Sequence, residues 1–558
     1  MTAGGRPPQP AGGGAAPAAP AGDKAVPAAP AGDKAVPAAP AGDKAVPAAP
    51  AMRLSGRAEI DLDAFRRVAW AGEGVTIAAA ALAQIGDRRA RFEAFIAAHP
   101  ERRFYGINVH AGDGSGRPLD DAARRDYARG MQSAVSFGEP LPHRVVRGIV
   151  LSRLTNFIEG HSGVTPGLAE AVAAMLDGRR LPDVPRHGNG GSGEIPALGA
   201  LFGSIGTERQ LELKEPMSLV NGSPCAAALT ADVTLCAADL ISWAQRLFGL
   251  AATAFGVSAE IFDARLDDLW GDPFQSQALT ALRSQLDHAG AVRAAGDPAD
   301  GGTGAPAAGG GAGDSAAGAS AGESAAGVSA AGAGAGDEVA GHVQPPVSFR
   351  IIPRVVGNAL RVLDQARAAA RTSLRAVSDN PTLLFDGDEL VDIVSTGGFH
   401  NGTAAPVIDS LSATVADLAA LALHQVHRLQ ESHHALPRFD ATNLGILQMA
   451  ANGYAEEARA ACAPSLLGLG GRGQNDVPSP SFIAFNRYER VHGFAAGTFA
   501  CLACIAAQSL HQTGRAAPTV LADTFAAVSA LSPPLTQRRS LGPELAALTG
   551  LLTAGIPA

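Results

Sequence analysis

Cysteine is scarce in this sequence. Cys225, Cys236, Cys462, Cys501 and Cys504 are the five in 558 residues, too few and too scattered for a disulfide framework, and their odd number would leave one thiol over. A reducing, cytoplasmic setting is expected. Aromatic residues make up 5% and charged residues 17% of the chain, and 44 basic against 53 acidic residues give a net charge of −9 with no Lys/Arg block. Nucleic acid and an anionic membrane surface are therefore not expected partners. The N-terminus shows no charged segment followed by an apolar one, so no secretory signal is expected. Nor does any uninterrupted apolar run reach the roughly 18 residues of a membrane span.

What the chain has in abundance is alanine, glycine and proline. Residues 1–51 carry a decapeptide, Val-Pro-Ala-Ala-Pro-Ala-Gly-Asp-Lys-Ala, starting at Val26 and again at Val36, and residues 296–341 are almost wholly Gly, Ala, Ser and Asp. Neither stretch holds enough large apolar side chains to offset the entropy of ordering, so a disordered tail and a disordered insertion at a surface connection are expected. The remainder divides into an N-terminal part (52–258), a central and C-terminal helical part (259–545) and a C-terminal tail (546–558). At 46% apolar overall, it is long enough for a large core.

Apolar residues recur at helical spacing. Leu360, Leu363, Ala366, Ala370, Leu374 and Val377 form one stripe, and Leu411, Val415, Leu418, Ala422, Val426 and Leu429 another. Such spacings of three and four place each set on one helix face. Similar patterns cover roughly 119–136, 142–157, 166–177, 224–254, 439–462 and 492–512, while alternating β-branched runs are few and short. The reading is a mostly-α protein built as a bundle of long, closely packed helices.

The most unusual segment is His187-Gly188-Asn189-Gly190-Gly191-Ser192-Gly193-Glu194-Ile195-Pro196. A phosphate cradle would need a Gly-Lys-Ser/Thr end and a preceding strand, both missing. A nucleophile elbow would need Gly-x-Ser-x-Gly, and Glu194 stands where its last glycine belongs. A tight turn capped by Ser192 is one open reading. The other is a backbone reaction: glycine on both sides of a serine lets the main chain fold back, so the Gly193 nitrogen could attack the Gly191 carbonyl carbon.

This loop resembles the Ala-Ser-Gly loop of the histidine/aromatic amino acid ammonia-lyase and aminomutase family, which cyclises to the electrophile methylidene-imidazolone (MIO). Other segments match in the same order. They are Phe104-Tyr105-Gly106-Ile107-Asn108, Gly138-Glu139-Pro140-Leu141, Lys214-Glu215, Leu219-Val220-Asn221-Gly222-Ser223, Gln344 to Arg350, Val377-Ser378-Asp379-Asn380-Pro381, Gly397-Gly398-Phe399-His400 and Gln474-Asn475-Asp476. The resemblance spans about residues 55–510. It implies an ammonia-lyase-like helix bundle, a homotetramer whose active sites draw on three subunits, an amino acid substrate, MIO formed autocatalytically from Gly191-Ser192-Gly193, and no metal or nucleotide.

By the same resemblance Tyr105 would be the base for a β-proton and Arg350 the bidentate partner of the substrate carboxylate. Asn221 and Gln344 would be hydrogen-bonding neighbours, and Phe399 would pack on the substrate or the ring. Gln132, Ser133 and Asn475 would face the substrate side chain, which points to a polar, heteroaromatic or aromatic amino acid. Read without the family, Tyr105 is a half-buried core residue, Arg350 a surface ion pair and Asn221 a turn former. The chain departs from the family at Gly191, where Ala is usual, at Val347, where a Tyr hydroxyl is usual, at Asn475, where many relatives have Glu, and in the loop after Tyr105. The implied reaction is elimination of ammonia. Its alternatives are a 2,3-aminomutase making a β-amino acid and a family member that has lost the ring and serves as a binding or scaffold protein. His424, His427, His433 and His434 read as a histidine-rich surface, not a metal site, and Cys501-x-x-Cys504 as buried helix cysteines.

Overall fold

The computed structural model describes residues 51–120, 123, 135–290, 344–432, 444–471 and 473–555. Residues 1–50, the 296–341 segment, Gln132, Ser133, His433 and His434 lie outside them.

Long helices carry the architecture, as the periodicity predicts. They are α1 (His143–Phe157), α2 (Ile195–Phe202), α3 (Pro224–Phe255), α4 (Ile352–Arg375), α5 (Ala404–Glu431), α6 (Leu447–Ala461), α7 (Ser481–Thr513) and α8 (Gly542–Thr553). On α4 the predicted stripe is real: Leu363, Ala366, Ala370 and Leu374 are buried, while Asp364, Arg367 and Arg371 face outward. α3 opens on Pro224, which needs no partner for its missing N–H, and stops at Gly256, whose φ of +85° a glycine adopts without strain.

α3 packs against α4, α5 and α7, and α5 against α4 and α7, with α6 and α8 laid on α7. Small side chains bring the axes close. Ala495, Ala496, Ala500, Ala503, Ala506 and Ala507 of α7 are buried, and a Cβ on Gly497 would stand 3.0 Å from the Tyr454 ring of α6. Among the described residues two short sheets lie outside the bundle: Met52–Leu54 runs parallel to Val75–Ile77, and Thr382–Asp386 antiparallel to Glu389–Val394.

Two expectations are corrected and one is extended. Residues Ala49–Ala558 form one compact unit, and α3, from the N-terminal part, is the central helix of the bundle. No domain boundary therefore falls at 258/259. Residues 546–553 are not tail: α8 runs to Thr553 and buries Leu548 and Leu552. Finally, the stretches Glu215–Phe255, Ala404–Glu431 and Ser481–Thr513 are long and apolar enough to cross a membrane. Their hydropathy comes from alanine-rich sequence with few charges, not from unbroken runs. The fold accounts for two of them, since 83% of the first apolar window and 89% of the third are buried inside the protein; for the second the share is 50%.

Candidate active site

The loop His187–Gly193 is held at its entry, middle and end. At the entry, Arg186 N–H donates to Glu139 O at 2.9 Å and Leu141 N–H to Val184 O at 2.8 Å, so the Gly-Glu-Pro-Leu segment lies alongside it. The Arg186 guanidinium reaches Glu489 Oε2 of α7 at 2.7 Å, and Asn486 Nδ2 of the same helix donates to Arg186 O at 3.0 Å. In the middle, Ser136 Oγ lies 3.0 Å from both Gly188 O and Asn189 Oδ1.

At the end of the loop Gly191 (φ +132°), Gly193 (φ +75°) and Glu194 (φ +58°) take up left-handed backbone. Only the glycines do so without strain. Ser192 is buried and does not cap α2; its Oγ donates to Asn475 Oδ1 at 2.7 Å. The Gly191 carbonyl accepts the Ser479 N–H at 3.1 Å. The Glu194 carboxylate accepts the N–H groups of Cys225 at 2.6 Å and Ala226 at 2.8 Å, in the first turn of α3. Burial pushes this carboxyl up to about 7, and the two amide donors pull the other way.

Asn221 touches the triad directly. A Cβ on Gly193 would stand 2.8 Å from Asn221 Oδ1, so only glycine allows the approach. That oxygen is buried without a hydrogen-bond partner, while Nδ2 donates to Met217 Sδ at 3.4 Å. Met217 in turn presses on Gly106, beside Tyr105. Tyr105 is half-buried and its Oη accepts the Gly112 N–H at 2.9 Å; a Cβ on Gly112 would lie 3.9 Å from Asn475 Nδ2. Tyr105, Gly191, Ser192, Gly193, Asn221 and Asn475 thus form one cluster. Phe399 is half-buried at its edge, where the neighbouring Gly398 O lies 3.5 Å from Ser223 Oγ.

Beneath the cluster lie residues to which the sequence reading gave no role. Lys214 Nζ and Asp379 Oδ2 pair at 2.8 Å with both side chains fully buried. Burial lowers the lysine, and the facing carboxylate opposes that shift. Arg153, also buried, donates to Asn221 O at 3.0 Å. Ser378 Oγ accepts the Ser223 N–H at 3.0 Å. Lys214 and Asp379 stand in two matched segments, but no sequence spacing says which charge faces which. Glu194 and Ser479 had no signal beyond adjacency to the triad and to α7.

Gln344 and Arg350 meet elsewhere. With its carboxamide oxygen toward the guanidinium, Gln344 accepts from both Arg350 terminal nitrogens at 2.9 and 3.0 Å. The pair lines a cavity of about 650 Å³ with Val347, His424 and Arg428. Arg350 precedes the first residue of α4, whereas Ser378 follows the last. At about 1.5 Å per residue the 24 residues between span roughly 36 Å. Within one chain Arg350 and the serine loop are therefore at opposite ends of the bundle. Gln132 and Ser133 lie outside the described residues.

Among the described residues no group of three or more His, Cys, Asp or Glu side chains is placed to hold a metal ion. All five cysteines are free, and burial raises Cys501 to about 12 and Cys504 to about 11.

The family model described as aromatic amino acid lyase matches residues 60–530. A histidine ammonia-lyase of Deinococcus radiodurans is 28% identical over 417 residues, 70% of each chain. The structure is similar to a tyrosine aminomutase of Streptomyces globisporus (TM-score 0.71, 21% identity, 90% of this chain and 97% of that one). It is also similar to the ergothioneine-degrading ergothionase of Treponema denticola (TM-score 0.73, 16% identity, 90% and 99%).

Proposed function

The chain belongs to the aromatic amino acid lyase family and is a carbon–nitrogen lyase or related aminomutase, and on that premise we propose that it eliminates ammonia from an aromatic, heteroaromatic or polar α-amino acid. The observation that carries this reading is the serine loop: left-handed glycines around a buried Ser192, with Tyr105 and Asn221 in the same cluster.

The residues fit MIO. Gly193 is packed against Asn221 Oδ1 so closely that no Cβ could intervene, and that oxygen is a buried acceptor lacking a donor. Formed there, MIO would supply an electrophilic carbon for the substrate's α-amino nitrogen. Asn221 Oδ1 accepts a hydrogen bond from that amine, which removes the cost of an unpaired buried oxygen. Tyr105 Oη, as the phenolate, takes the β-proton and becomes the phenol, with the Gly112 N–H at 2.9 Å holding that oxygen in place. Arg350 clamps the carboxylate through two parallel N–H bonds, with Gln344 holding the guanidinium. Phe399 covers the substrate, and Gln132, Ser133 and Asn475 meet its side chain.

Because Arg350 and Ser192 lie at opposite ends of one bundle, a complete site needs another copy of the chain. A homotetramer that pools residues from several subunits meets that need. The five free thiols suit a cytoplasmic setting.

The test is incubation with a panel of α-amino acids, following ammonia release, the unsaturated acid and the β-amino acid, with Ser192→Ala as control. Ammonia and the unsaturated acid from wild type alone support the lyase. A β-amino acid would make it an aminomutase. Equal turnover by Ser192→Ala would remove the electrophile from the reading.

A further inference from the structure

Resting on the reading that Gly191-Ser192-Gly193 cyclises, we propose that the Ser479 backbone N–H is the oxyanion donor for that ring closure. The Gly191 carbonyl is the group attacked, and among the described residues the one hydrogen bond it accepts from elsewhere in the backbone comes from Ser479, at 3.1 Å. Ser479 is buried and lies two residues before the first residue of α7, a 33-residue helix capped by Pro480. Its amide therefore points at the carbonyl from the positive end of a long helix. A fixed donor in a water-poor site acts most strongly on an oxygen that gains charge during the reaction.

The chemistry balances as follows. The Gly193 nitrogen bonds to the Gly191 carbonyl carbon, the C=O π pair moves onto oxygen beside the Ser479 N–H, and the Gly193 amide proton passes to that oxygen. The resulting hydroxyl leaves as water with the Ser192 amide proton, so a C=N bond forms between Gly191 and Ser192. A second water combines the Ser192 hydroxyl and the Ser192 Cα hydrogen. Ser479 is neither consumed nor oxidised; it stabilises the oxygen only until the first water departs. Gly191 and Gly193 flank the serine with positive φ, which glycine adopts without strain. Ser192 Oγ is held apart on Asn475.

The experiment replaces residue 479 with the α-hydroxy analogue of alanine, which exchanges the N–H for an ester oxygen and keeps the chain direction. The same ester exchange at Val477, whose amide has no such role, is the control. Intact mass and peptide mapping across 187–214 follow water loss with time after synthesis, and circular dichroism with thermal melting checks the fold. Wild type and the Val477 ester should lose two waters at the same rate. The Ser479 ester, while melting cooperatively, should lose them roughly 10²-fold more slowly. Water loss from the Ser479 ester at the control rate would overturn the proposal while leaving the ring intact. No water loss from wild type would instead remove the parent reading and this inference with it. Ser479→Pro, which also lacks the N–H, is the second variant: cooperative melting with full, fast water loss would likewise overturn the proposal.

Discussion

Lys214 and Asp379 meet at 2.8 Å with neither side chain exposed. The lysine precedes the segment that ends in Asn221, and the aspartate follows Ser378, which bonds Ser223. The pair therefore pins the Asn221 turn to the segment after α4. Ser218 Oγ adds a bond to the same carboxylate at 3.1 Å. Removing one partner leaves an uncompensated buried charge, so Lys214→Met should cost about 3–5 kcal/mol. Lys214→Met with Asp379→Leu should recover much of that loss, as denaturant titration of the three proteins will show. Equal stability of wild type and the single variant would mean that the pair does not pin the turn.

Arg350 and Ser192 lie at opposite ends of one bundle, so their variants should complement. Ser192→Ala and Arg350→Ala chains should each be inactive alone. Coexpressed as a mixed oligomer, they should regain part of the activity, because some sites then draw an intact serine loop from one chain and an intact Arg350 from another. If mixing restores nothing while mixed oligomers are seen by native mass spectrometry, the site is not shared in this way. In the homogeneous enzyme Arg350→Lys should raise KM through loss of the two parallel bonds.

Gly191 has open space where a Cβ would go, yet its φ is +132°. A methyl group there meets no atom, so Gly191→Ala isolates the backbone cost, about 1–3 kcal/mol for such a conformation. A lower melting temperature, with slower water loss, is the expected result. An unchanged melting temperature would show that the loop relaxes to a conformation any residue can adopt.

The pH dependence of stability should carry the signature of Glu194. Burial lifts its carboxyl to about 7 from an ordinary 4.5, so the native state binds the proton more tightly than the unfolded chain. Stability from this group is then complete below about pH 4.5 and declines as pH rises through about 7. Glu194→Gln lacks the titration. The melting-temperature difference between wild type and variant should move against wild type across that window and level off above it. A flat difference would show the two amide donors of α3 outweighing burial.

Much of this protein is legible in its sequence, for a local reason. Helix geometry repeats every few residues, so the stripes on α4 and α5, and the proline start and glycine stop of α3, can be read without knowing what packs on them. The serine loop is legible too, because three glycines around one serine fit few backbone purposes. The helical pattern read over 492–512 reaches the end of α7 at Thr513 but misses its start at Ser481. Its first turns carry a stripe, with Phe482, Phe485, Tyr488 and Val491 buried and Ile483 and Arg490 exposed, but from about Ala495 the helix is buried on nearly every side and has no polar face to contrast.

What the tertiary structure alone decided is who meets whom. Ser192 bonds Asn475, the Gly191 carbonyl meets Ser479, and Lys214 faces Asp379, each across more than a hundred residues of chain. It also decided that Arg350 stands a full helix length from the serine. Periodicity fixes which face of a helix is apolar, but the direction and partner of that face follow from how whole helices pack. No spacing along the chain encodes a distance between its ends.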